Sequence, residues 1–144
     1  MGTWGVGPFD SDTAADFCGE VDDVAMGERE QAVRTALVRA ADLPDDVELD
    51  ACEAERAVAA AALVAAQCPG GESADSVYGP EEPLPDLTGL RGLAVQARGR
   101  VLTEPSELYE LWAESDGGPW VAEVRRLENV LLPQPAGEQL GSLR

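Results

Sequence analysis

Leu49-Asp50-Ala51-Cys52-Glu53-Ala54-Glu55-Arg56-Ala57-Val58-Ala59-Ala60-Ala61-Ala62-Leu63-Val64-Ala65-Ala66-Gln67 is the stretch on which the fold turns. Its residues are strong helix formers. From Ala57 to Ala66 it is apolar on every side of the helical wheel. Such a helix has no face to give to water, so it belongs at the centre of a bundle. The run is ten residues long and mostly alanine, too short and too weak to span a bilayer. Its acidic start, with Glu48, Asp50, Glu53 and Glu55, suits the positive end of a helix dipole.

Working outward, the same 3.6-residue period recurs. Ser11 or Asp12 caps a first helix, with Ala14, Phe17, Cys18, Val21 and then Val24 or Ala25 on one face. A second helix is expected over residues 28–41, after a break at Gly27, with Val33, Leu37, Ala40 and Ala41 inward. Leu43-Pro44-Asp45-Asp46 stops it. Beyond the central helix, residues 69–86 hold four prolines and three glycines and form a Pro/Gly-rich loop. A fourth helix is expected over 87–102, with Leu90, Leu93, Ala94, Ala97 and Val101 on one face. Pro105 and Ser106 open a fifth, with Leu108, Leu111 and Trp112 inward. Asp116-Gly117-Gly118-Pro119 separates it from a sixth over 120–132. No alternating strand pattern appears. The reading is all-α: a compact bundle of about six helices in a single domain over 1–144, with a glycine-rich loop over 2–10 and a frayed tail over 133–144.

The composition narrows the chemistry. Against 28 acidic residues stand ten basic ones, all arginine, for a net charge of −18. Residues 1–90 carry 20 acids and four arginines; residues 91–144 carry eight acids and six arginines. The first two-thirds repels nucleic acid and anionic membranes and attracts basic partners. Without histidine or lysine there is no Ser-His-Asp or Cys-His pair, Schiff-base lysine or P-loop lysine. Gly5-Val6-Gly7 lacks the third glycine of a dinucleotide motif. Three widely spaced cysteines, Cys18, Cys52 and Cys68, imply neither a disulfide framework nor zinc, and fit reduced thiols in a cytoplasm. The N-terminus shows no signal-peptide pattern.

Only carboxylates remain as candidate site residues. Asp10, Asp12 and Asp16 imitate the opening of a calcium loop, but Ala15 and Val21 fall where its glycine and closing glutamate would stand. Helix capping is the better account of them, a divalent-cation enzyme or sensor the alternative, and no cofactor is expected. Asp22, Asp23, Asp45, Asp46, Glu48 and Asp50 lie near helix ends and are the candidates for contact with a partner. The functional expectation is a non-enzymatic binding or regulatory module, inhibitor- or immunity-like, for a basic protein. A DNA mimic is a further alternative.

The opening segment is distinctive. Gly2-Thr3-Trp4-Gly5-Val6-Gly7-Pro8-Phe9-Asp10-Ser11-Asp12-Thr13-Ala14-Ala15-Asp16-Phe17, with the later Ser106-Glu107-Leu108-Tyr109-Glu110-Leu111-Trp112 and Trp120, resembles a bacterial family known as domain of unknown function 4259. Position 11 is serine where asparagine is common in that family, and either residue caps a helix. The resemblance implies a placement but no activity and no catalytic residues. It marks Trp4, Gly5, Gly7, Phe9, Asp10, Asp12 and Asp16 as a structural motif. Trp4 and Phe9 are expected to pack against the helices, because exposing two such rings would forgo ~1.5–3 kcal/mol each. Deleting residues 2–9 should therefore lower the thermal midpoint by several degrees in a melting experiment; an unchanged midpoint would make the motif a surface feature.

Overall fold

The computed structural model describes residues 12–44, 46–67, 85–114 and 117–131. Among these there are six α-helices, one 3-10 turn and no strand: α1 (Asp12–Asp23), α2 (Met26–Ala41), α3 (Ala51–Ala65), the 3-10 turn (Thr88–Leu90), α4 (Arg91–Val101), α5 (Glu107–Ala113) and α6 (Gly118–Leu131). The expected all-helical architecture holds. Trp4, Gly5, Gly7, Phe9, Asp10, Ser11, Asp45, Cys68, most of the expected 69–86 loop and the expected tail lie outside the described residues.

α3 is the hub. It packs against α1, α2, α4, α5 and α6. Ala54 and every residue from Ala57 to Ala65 are buried. Methyl side chains on all sides let neighbouring axes come close from several directions at once. The larger volume comes from the partners: Phe17 and Val21 of α1, Val33 and Leu37 of α2, Val101 of α4, Leu108 of α5, and Trp120, Val124 and Leu127 of α6. The predicted inward positions agree closely, though Ala41, Leu93, Leu111 and Trp112 are only half-buried, and Val24 and Ala25 lie beyond the end of α1, half-buried and exposed, because the helix stops at Asp23.

Helix ends differ from the expected ones for identifiable reasons. α3 starts at Ala51, because Asp50 takes the cap position and its carboxylate accepts the Glu53 N–H at 2.8 Å. Leu49, expected in the first turn, is instead extended and forms an isolated parallel bridge with Ser106. α2 starts at Met26, so Gly27 lies inside its first turn and does not break it. Arg29, one turn on, reaches back to donate to the carbonyls of Val24 and Asp22 at 3.2 and 3.3 Å, tying α2 to the end of α1. The fourth helix is a 3-10 turn that passes into α4.

Two polar stitches hold the chain across its irregular parts. The Gln67 amide donates to the Pro85 carbonyl at 2.9 Å and accepts the Leu87 N–H at 2.7 Å. One side chain thus joins the end of α3 to the approach to α4. Between α5 and α6, a Cβ on Gly117 would meet the Trp112 carbonyl oxygen at 2.6 Å, so only glycine fits. That approach leaves Trp112 and Trp120 stacked, with centroids 5.8 Å apart.

If α3 is packed to its limit on all sides, added volume is not absorbed. Ala60→Leu should destabilise the fold by about 1–3 kcal/mol in urea denaturation. Ala122→Leu, at an exposed position of α6, should change stability by less than about 0.5 kcal/mol.

Candidate functional site

The α2–α3 and α4–α5 connections meet at one end of the bundle. Leu49 N–H donates to the Pro105 carbonyl at 3.1 Å, and Glu107 N–H donates to the Leu49 carbonyl at 2.8 Å. The Glu107 carboxylate then accepts the Ala51 N–H at 2.7 Å. With Asp50, it satisfies two of the first N–H groups of α3 and places negative charge where the helix dipole favours it.

Arg100 lies beneath both connections and is buried. Its guanidinium donates to the carbonyls of Thr103 (2.8 Å) and Pro105 (3.1 Å) in one connection. In the other it donates to Pro44 (3.4 Å) and Val47. Four carbonyls in two segments converge on one planar cation, a geometry its fixed fork of donors permits.

The surface above this clamp is acidic. Asp42, Asp46, Glu48 and Asp50 are exposed on the first connection; Glu104, Glu107 and Glu110 are exposed on or just after the second. Val47, 44% exposed, stands among them. Of the six partner-contact candidates, the structure brings together Asp46, Glu48 and Asp50 here. Asp22, half-buried, and Asp23, exposed, precede α2, whereas the others follow it. The length of α2, 16 residues or about 24 Å, separates the two groups. Asp12 and Asp16 are exposed on α1. Among the described residues no three metal-ligating side chains gather.

Sequence reading missed Glu104, Glu107, Val47 and Arg100. The charge balance of residues 91–144 made that half look neutral, and the contact between connections is non-local. The one available signal was Arg100 itself, a cation at the end of a helix whose neighbours in sequence offer no i−4 carboxylate.

A second feature lies between α1, α2 and α3: a half-open groove of about 520 Å³ lined by Phe17, Glu20, Val21, Ala32, Thr35, Ala36, Arg39, Glu53 and Arg56. Glu20 and Arg56 form a bidentate pair at 2.9 and 3.0 Å. That hydrogen-bonded pairing holds the Glu20 carboxyl below the usual range and raises the Arg56 guanidinium further. The pair's stabilisation is therefore present above the ordinary glutamate pKa of about 4.3 and is lost as pH falls through the lowered value; at this exposure it is worth less than about 1 kcal/mol. Arg39 meets Glu53 at 3.2 Å.

Nucleophilic chemistry finds little support. Cys18 is buried, and burial, then the charge of Asp22, push its thiol up to about 12. A thiol so raised does not ionise near neutrality. Cys52 is exposed, and neither Cys18 nor Cys52 is in a disulfide. No helix among the described residues is long and apolar enough to cross a membrane.

Fold and surface together define an all-helical protein whose connections present an acidic end. The family described as Domain of unknown function (DUF4259) matches residues 2–123, and the chain belongs to that family. No curated protein and no solved structure matches it.

If Arg100 holds the acidic end together, Arg100→Met should destabilise the protein by at least about 2 kcal/mol, since four carbonyls lose their donor. Hydrogen exchange should show the Leu49 and Glu107 amides losing protection first. Uniform loss across all helices would contradict a local clamp.

Proposed function

We propose that this chain is a non-enzymatic binding module, of the inhibitor or immunity-like kind, that docks a basic segment of another protein on its acidic end. The observation that carries the reading is the joining of the α2–α3 and α4–α5 connections over the buried Arg100, which gathers their exposed carboxylates at one end, with Val47 exposed on the first of them. Carboxylates around an apolar side chain suit a partner that sets arginine or lysine around a hydrophobic residue. Apolar contact contributes affinity, and the charges steer encounter.

The net charge of −18 supports the same reading. Arg29, Arg91 and Arg100 direct their donors to main-chain carbonyls of this chain. Arg34, Arg39, Arg56 and Arg126 pair with its own glutamates. The remaining carboxylates dominate the outer field. Asp50 and Glu107 act doubly, capping α3 while facing solvent.

A synthetic peptide alternating arginine and leucine serves as the probe in an NMR titration. Amide shifts should concentrate in residues 42–50 and 102–107. Association should slow at least about tenfold from low to high salt, because the attraction is screened over ~8 Å at physiological ionic strength. Replacing Asp46, Glu48 and Glu104 together by their amides should slow association more than it speeds dissociation. Shifts spread evenly over the helices, or binding indifferent to salt, would leave the acidity a solubility feature.

A further inference from the structure

Met26 is the one methionine of the chain besides Met1. It opens α2 and is 45% exposed, and the acidic end makes no use of it. Arg29, three residues on, is buried. Residues three apart on a helix share a face, and here Arg29 Nη1 donates to Met26 Sδ at 3.9 Å. From the same guanidinium, Nε donates to the Val24 carbonyl at 3.2 Å and Nη2 to the Asp22 carbonyl at 3.3 Å. One cation thus spans the last turn of α1, the joint after it and the first residue of α2.

Its three acceptors are unequal. Main-chain carbonyls are strong acceptors, whereas a thioether is a weak one. At 3.9 Å the sulfur holds its donor loosely. An oxygen placed on that sulfur changes the acceptor. The three rotatable bonds of methionine let the oxygen turn towards Nη1. A charge-assisted N–H···O bond of about 2.7–2.9 Å then replaces the weak contact. In an apolar core the same oxidation disrupts packing, because it sets a polar group among hydrocarbon. Met26 differs: it has solvent on one side and a cation on the other, so its sulfoxide gains a partner and displaces no packed neighbour.

We propose that Met26 is a reversible oxidation site and that Arg29 holds its sulfoxide, tightening the joint between α1 and α2. A hydroperoxide, hydrogen peroxide in the simplest case, supplies the oxygen. The sulfur lone pair attacks one peroxide oxygen and an S–O bond forms as the O–O bond breaks. The departing oxygen takes the proton of the transferred one and leaves as water. The sulfur is oxidised by two electrons and the peroxide reduced by two. The acidic end follows the other end of α2, whose 16 residues span about 24 Å. The two sites therefore stand or fall separately.

The full chain, its accessible thiols first alkylated, is treated with hydrogen peroxide and followed by peptide mass spectrometry and NMR hydrogen exchange. Met26 should gain one oxygen. Exchange should slow at least about threefold at the Arg29 Nε–H and at the Glu28 amide, which donates to the Ala25 carbonyl at 2.8 Å, because opening the joint then breaks a stronger bond. A methionine sulfoxide reductase should restore both the mass and the faster exchange. Met26→Gln, which carries an oxygen on its δ atom as the sulfoxide does, should show the slower exchange without peroxide. Met26→Leu should keep the faster exchange before and after treatment. Failure of Met26 to take up oxygen overturns the proposal, as does exchange in the oxidised wild-type chain that is unchanged or faster. So does a slowing that Met26→Leu also shows, since the oxidised group would then lie elsewhere. The wild-type comparison does not depend on any variant folding.

Discussion

Everything in this fold depends on burying α3 on all sides. A helix whose residues from Ala57 to Ala65 are all inaccessible needs neighbours in every direction, and it has them in α1, α2, α4, α5 and α6. Alanine makes that possible at a cost. Its methyl groups let axes approach, but each buries little apolar area, so cohesion must come from larger side chains on the surrounding helices. The two tryptophans at the α5–α6 turn and Phe17 of α1 supply part of it. A core built this way tolerates loss of volume at its periphery better than gain of volume at its centre.

The connections carry the second constraint. Tight packing of helices around one hub forces their ends together, and main-chain carbonyls left without helical partners must find donors. Arginine meets that demand repeatedly: Arg29 at the end of α1, Arg100 between two connections, Arg91 at the Leu131 carbonyl. The electrostatic result is indirect. Cations that could have neutralised surface carboxylates are drawn inward to main-chain oxygens, and the exterior is left more negative. The demand of buried main-chain oxygens for donors thus leaves the acidic surface less neutralised.

The acidic end and the groove stand close together on α3, since Asp50 caps the helix that presents Glu53 one turn later. Their chemistry is nonetheless distinct. The first is exposed and of one sign around Val47; the second is recessed, balanced in charge and floored by α1 and α2.

Much of this was legible along the chain. The all-round apolar run of Ala57–Ala66, the single apolar face of Ala14, Phe17, Cys18 and Val21, and the break at Gly117 set the helices and the central place of α3, although Gly118 and Pro119, expected to precede the sixth helix, already form the first turn of α6. These are local properties: period, propensity and turn chemistry act over a few residues. The candidate site was half legible. Asp46, Glu48 and Asp50 were visible as a run, but their company was not. That Glu104 and Glu107 join them, that Asp22 and Asp23 do not, and that Arg100 lies beneath depend on residues some fifty apart meeting in space. The pairing of Glu20 with Arg56 across two helices has the same character. Sequence determined which segments are helical and which faces turn inward, because hydrophobic period is written residue by residue. Tertiary structure alone decided which charges become neighbours, because that follows from how helices of given length and small side chains close around a common axis.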